Sequence, residues 1–226
     1  MSEIKNSPEI VEMDRPKQEV GGFRNIKPEG SLSFPEAQKY WDDLFEKSDS
    51  IDANRNLMFF REIKDGEAHY YDDNNNLYRH NKELLPDTQY ELNQYVYQTD
   101  CLGRIISVEG KLHLKEREGR LYIRDTMEDI GKGDQREGDD RGHIIGDQFD
   151  GVNGLENMIP QDADINRNAY KNLENELARE VKSGKEVYVA IEPIYEGTSR
   201  RPTSIAVTYS IDGNTNIRIF QNGKGE

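Results

Sequence analysis

The spacing of apolar residues changes character along the chain, and each change predicts an element. In residues 31–50, SLSFPEAQKYWDDLFEKSDS, Ala37, Tyr40, Trp41, Leu44 and Phe45 fall on one face at helical spacing, and Ser33, Pro35 and Glu36 supply a helix start. The stretch LMFFREIKDGEAHYYDDNNNLYRHNKE alternates, which predicts one or two strands around Asp65-Gly66 and a polar turn over 72–76. From Leu84, YELNQYVYQTDCLGRIISVEGKLHL predicts a hairpin or small meander with turns at Asn93-Gln94 and 100–103, and its alternation makes His113 solvent-facing. A glycine-rich, charged and irregular stretch follows, EDIGKGDQREGDDRGHIIG. PQDADINRNAYKNLENELAREVKSGK then reads as a helix capped by Asp162 or Asp164. Its apolar stripe is Ala169, Tyr170, Leu173, Leu177 and Val181, and Gly184 stands where a helix ends. Two alternating runs, EVYVAIEPIYEG and TSIAVTYSIDG, predict paired strands, with NIRIF as a short last strand. The expected class is α+β.

Residues 1–30 carry Pro8, Pro16, Pro28 and Gly21-Gly22 with little periodicity, and are expected to be disordered. Residues 31–83 form an N-terminal segment without an assignable motif, and 84–226 form the main domain. The 226 residues hold one cysteine, Cys101, so neither an internal disulfide nor a cysteine-based zinc site is available. The N-terminus lacks the apolar run of a Sec signal peptide, and no run reaches the ~18 apolar residues of a membrane span. No membrane role is expected. The formal net charge of -14 argues against nucleic acid as a partner, because phosphate binding is electrostatic. Local basic clusters run the other way: Lys111, Lys115, Arg117, Arg120 and Arg124 in one stretch, and Arg200-Arg201 in another.

The chain has four histidines, and the sequence gives His69 and His80 no ligand pattern, so both read as ordinary strand or surface residues. His143, in DDRGHIIG, is either a buried structural histidine or a base presented at a strand end. On the following helix, ~100° per residue puts Asn166 within the apolar stripe and Glu174 at its edge. A buried amide and carboxylate need protein partners or an ion. Capping for Asn166 and a surface salt bridge for Glu174 are the plainer alternatives.

DRGH at 140–143, ENMIPQ at 156–161, DINRN at 164–168 and NLENE at 172–176 occur in that order, after a β-hairpin and running into a helix. The ordered set resembles the DNA/RNA non-specific endonucleases of the ββα-metal class over roughly 84–222, and the C-terminal strands resemble the toxin-type branch of that family. The resemblance implies a ββα-metal core and a Mg2+-dependent endonuclease that cuts DNA without sequence preference, with RNA open, serving as an antibacterial toxin. Alternatives are a nutrient or uptake nuclease, and a nuclease-fold binding module without activity. It implies that His143 is the general base, Asn166 the Mg2+ ligand (with Mn2+ as a substitute) and Glu174 a group that holds metal-bound water or orients the site. Asp140 and Asn157 would support the loop of His143. Arg141 is a phosphate contact or a scaffold residue. An upstream arginine would stabilise the phosphate transition state; Arg117, Arg120 and Arg124 all qualify and Arg120 is preferred, with Arg117, Arg124 and Lys115 as substrate contacts. Zinc is not expected to replace magnesium, since no paired-histidine cage is visible. Implied partners are nucleic acid and a cognate immunity protein, with delivery into a target cell by a non-Sec route and action in its cytoplasm.

Overall fold

The computed structural model describes residues 61–64 and 66–223, so the expectations for 1–30 and for the helix over 31–50 lie outside the described residues. The chain divides after Glu83, and each unit is described by itself.

The N-terminal unit holds an antiparallel meander of β1 (Arg61–Lys64), β2 (Glu67–Tyr71) and β3 (Leu77–His80), with short β4 (Glu83–Leu84) next in order. The polar stretch 72–76 is a turn, as expected. The buried Asp72 carboxylate accepts from the backbone N–H of Asn74 (3.0 Å) and Asn76 (2.7 Å), which lets Asn75 take a left-handed conformation. The β2–β3 register sets His69 opposite His80. Both histidines lie on strands, as expected, and the hairpin turn, not sequence proximity, brings them together.

In the second unit a six-stranded antiparallel sheet has the order β12-β11-β10-β7-β6-β5. Its strands are β5 (Gln89–Leu92), β6 (Tyr95–Thr99), β7 (Ile105–Lys111), β10 (Val187–Ile194), β11 (Ser204–Ile211) and β12 (Asn214–Gln221). Asn93 and Gln94 both have positive φ, the geometry of a hairpin turn that follows the strand twist. Along β10, Val187, Val189 and Ile191 are buried while Tyr188 and Glu192 are exposed, so the alternation names the core face. His113 lies past the end of β7 rather than on it. It stacks on Tyr95 with ring centroids 5.2 Å apart and is half-buried, not solvent-facing.

The ββα portion is β8 (Asp139–His143), β9 (Met158–Asp162), a π-helical segment (Ile165–Tyr170) and α2 (Lys171–Lys182); a short α1 (Met127–Gly131) precedes it. Here the sequence expectation needs one correction. Residues 158–162, ahead of the helix start expected at Asp162 or Asp164, are a strand: Met158, Ile159 and Pro160 are buried in a ladder with β8, and a proline tolerated at a sheet edge would break a helix interior. The stretch read as irregular contains β8. Of the two proposed caps Asp162 is the one used, its Oδ1 accepting from Asp164 N (3.0 Å) and Ile165 N (3.2 Å). Tyr170, Leu173 and Leu177 form the buried stripe; Val181 is half-buried and Ala169 exposed, because the π turn rotates the preceding residues off the 100° count. Gly184, at φ 90°, ends the helix as expected. Among the described residues no helix is long and apolar enough to cross a membrane.

Candidate active site

The ladder of β8 and β9 pairs His143 with Met158, so His143 closes β8 and the chain leaves it into a 14-residue connection, 144–157. Ile144 and Ile145 are buried and hold the start of that connection in the core. Asn157 holds its two ends together: Oδ1 accepts from Ile145 N (2.9 Å), and Nδ2 donates to Ile145 O (2.8 Å) and Val152 O (2.9 Å). At Gly151 a Cβ would overlap the carbonyl of Ile145, so only glycine fits this turn. Three tyrosines tie the connection to its surroundings. Tyr90 donates to Glu156 O (2.9 Å), Tyr95 to Phe149 O (2.8 Å), and Tyr170 to Ile144 O (2.8 Å). At the other end of β8, Arg201 forks onto both oxygens of Asp139 at 2.7 and 2.8 Å.

Within this frame His143 is 7% exposed, and its Nε2 lies 2.6 Å from Oδ1 of the fully buried Asn153. An amide oxygen only accepts, so Nε2 carries the proton and Nδ1 keeps the lone pair. Burial pushes the imidazole pKa down to about 4; the Asn153 bond opposes this and the Arg120 charge adds to it. At neutral pH the ring is therefore an uncharged acceptor. Asn153 was missed by sequence reasoning, which stopped at Asn157; only the fold of the connection brings Asn153 to the ring.

Asp140 sits two residues before Gly142 on β8 and gathers the helix start. It accepts from Asn166 Nδ2 (2.9 Å) and from Arg167 Nε (2.8 Å) and a terminal guanidinium nitrogen (2.6 Å). Burial works against ionisation, yet these bonds and the charges of Arg167 and Arg120 hold the Asp140 carboxyl below its usual range. Fixing Nδ2 turns the Asn166 amide oxygen away from Asp140, and among the described residues that oxygen has no hydrogen-bond partner. Glu174 is half-buried, with its carboxylate packed on Gly146, where a Cβ would overlap Oε1. Burial raises its pKa to about 7 against the opposing charges of Lys171 and Arg120.

The cations separate into two groups. Lys115 and Arg117 both pair with Asp147, and Arg117 Nε also lies 3.5 Å from the buried Asp150. Arg124 pairs with the fully buried Glu156. Arg141 donates to the backbone carbonyl of Asp125 (2.9 Å), a scaffold contact, and Lys111 pairs with Glu186. Arg120 differs. It is exposed, it acts on the charge of His143, Asp140 and Glu174, and among the described residues it has no hydrogen bond or ion pair. The structure thus brings His143, Arg120, Asp140, Asn166 and Glu174 together, and engages Lys115, Arg117, Arg124 and Arg141 within the protein.

The opposed shifts of His143 and Glu174 give a pH signature. The folded pKa of Glu174 is raised from 4.5, so its contribution to stability is present below about 4.5 and lost as pH rises through about 7. That of His143 is lowered from 6.5, so its contribution is present above 6.5 and lost as pH falls through about 4. Glu174→Gln in metal-free buffer is expected to raise the melting temperature at pH 8 and to change it little at pH 4. Thermal denaturation across that range checks this; an equal difference at every pH would mean the carboxylate is not the buried charge.

Similar proteins are found at the level of family, of relatives and of solved structures. A family model for DNA/RNA non-specific endonucleases matches residues 86–213, more than half of the chain. The Type VII secretion system protein EssD of Staphylococcus aureus (strain USA300) is 36% identical over 135 residues, which cover 57% of this chain and 22% of EssD. The same protein from strain NCTC 8325 matches equally, so the chain spans about a fifth of the length of these relatives. Among solved structures, NucA from Streptococcus agalactiae with magnesium bound aligns at 13% identity and a TM-score of 0.44, covering 85% of this chain and 91% of NucA. With no metal bound it aligns at 14% and 0.43, covering 75% and 87%. The chain belongs to the DNA/RNA non-specific endonuclease family.

Proposed function

We propose that this chain is a Mg2+-dependent, sequence-non-specific endonuclease that cuts DNA and accepts RNA, and that it serves as an antibacterial toxin. The observation that carries the nuclease chemistry is the neutral, oriented His143, with Nε2 bonded to Asn153 and Nδ1 available to a water. Nδ1 takes the proton of the attacking water, a role that suits a base uncharged at working pH. Arg120 contacts the phosphate as charge builds on its oxygens, since its guanidinium is not engaged elsewhere among the described residues. Asp140 positions Asn166. The donor set fits magnesium: the outward amide oxygen of Asn166 and the Glu174 carboxylate are hard oxygen donors, with no sulfur and no second imidazole in this cluster. A bound Mg2+ would neutralise charge on the phosphate and on the leaving 3′-oxygen. Manganese, also an oxygen-preferring cation, would substitute.

The toxin reading rests on the likeness to EssD, a type VII secretion system protein by name. It carries with it export by a route other than Sec, action inside a target cell, and a cognate immunity protein that blocks the site. Purified protein incubated with plasmid DNA and with RNA, each with Mg2+ and with chelator, tests the activity. Cleavage of both with metal and none with chelator is expected; intact substrates in every condition would refute the proposal. Expression in a bacterial cytoplasm tests the toxin role, where growth unaffected by active enzyme would favour the nutrient or uptake reading.

A further inference from the structure

Outside the nuclease match, Glu67, His69 and His80 present one ligand atom each, all within 4.8 Å of one another. We propose that this trio binds a zinc-class divalent ion on the β2–β3 hairpin. Glu67 and His69 are two apart on β2 and so share a face, and the register sets His80 directly across from His69. The imidazoles stack with centroids 4.6 Å apart, and His80 Nε2 lies 2.9 Å from Glu67 Oε2. A plain carboxylate–histidine pair accounts for Glu67 and His80. It leaves His69 unexplained, for Nδ1 of that ring is buried with no hydrogen-bond partner among the described residues. The cluster is also held in place from behind. Asn81 donates its N–H to Ala68 O (2.7 Å) and accepts from Ala68 N (2.9 Å), pinning the residue between Glu67 and His69.

The chemistry selects the ion. Two imidazoles and a carboxylate suit zinc, whereas magnesium prefers oxygen ligands throughout. Zinc bonds of ~2.0–2.1 Å put tetrahedral donors roughly 3.4 Å apart, a closure that side-chain rotation can supply. The Glu67 side chain is 54% exposed and that of His80 35%, so an ion can enter from solvent, and a fourth position is left for water.

Titrating the full chain with Zn2+ against a chromophoric chelator tests the site. One zinc per chain is expected, with backbone amide signals of β2 and β3 shifting as it binds. His80→Asn and His69→Asn are expected to weaken binding by more than the ~10–100-fold that loss of an outer partner alone produces. Glu67→Gln, at an exposed side chain that cannot unfold the hairpin, should weaken it with an unchanged circular dichroism spectrum and unchanged Mg2+-dependent nuclease activity. His113→Asn and His143→Asn should retain the zinc. Equal binding by the wild type and a Glu67→Gln/His80→Asn double variant, no zinc bound by the wild type, or zinc shifts confined to the His143 connection would each overturn the proposal.

Discussion

His143→Ala is expected to lower kcat for plasmid cleavage by ~10²–10⁴-fold, the range for removal of a positioned general base, while substrate affinity stays close to that of the wild type. The expectation comes from how the ring is held. Asn153 takes Nε2, so the remaining nitrogen is the one with a lone pair, and burial keeps it unprotonated down to about pH 4. In the proposed function the ring acts on a water and not on the phosphate, which is why binding should survive. Single-turnover cleavage beside an equilibrium binding assay separates the two. The kcat/KM profile of the wild type adds an independent check, since its acid limb should lie well below the 6.5 of an ordinary histidine. A variant that binds and cuts like the wild type would remove His143 from the chemistry.

The second large effect is expected at Arg120. Arg120→Ala should reduce kcat by ~10²–10³-fold, the loss seen when one donor to a developing oxyanion is deleted, and should do so more than it weakens binding. Arg120→Lys should recover only part, because an ammonium lacks the planar fork. The contrast with Arg117 sharpens the test. The Arg117 side chain is 8% exposed and pairs with Asp147 and Asp150. Arg117→Ala removes one of the two cations on Asp147 and the guanidinium beside the buried Asp150, and should cost about 1.5–3 kcal/mol of stability. Chemical denaturation beside steady-state kinetics distinguishes them: Arg120→Ala loses rate with its stability intact, and Arg117→Ala loses stability first. The reverse pattern would exchange the two roles.

What was legible in the sequence depended on whether a residue's partners were close along the chain. The 187–194 and 204–211 strands declared themselves because alternation is local, and the Asn93-Gln94 turn did so because few residue pairs take left-handed conformations in succession. β8 gave no such signal. Asp139, Asp140, Arg141 and Gly142 make an unlikely strand by propensity, and only the distant ladder with Met158–Asp162 makes them one. The site divided along the same line. The motif order drew attention to His143, Asn166 and Glu174, but the hydrogen bond from His143 to Asn153 depends on a connection closed by Asn157 and Gly151. The basic run 111–124 looked like a phosphate groove because its carboxylates, Asp147, Asp150 and Glu156, lie some 30 residues further on. Paired with them, most of that run is scaffolding, and a protein of net charge -14 can still present Arg120, without an ion pair among the described residues, beside His143.

The π-helical segment between the Asp162 cap and α2 has a consequence for how related sequences are compared. A π turn takes in one more residue than an α turn over the same arc, so it behaves like a single-residue insertion retained within a helix. Asn166 lies inside it and Glu174 beyond it. The eight-residue interval between them is therefore not a rigid angular measure. Two relatives with identical spacing can aim the amide in different directions, and two that differ by one residue can aim it alike. Alignments of this helix should anchor the amide on its carboxylate partner in β8 and the glutamate on the glycine it packs against, and let the count between them float.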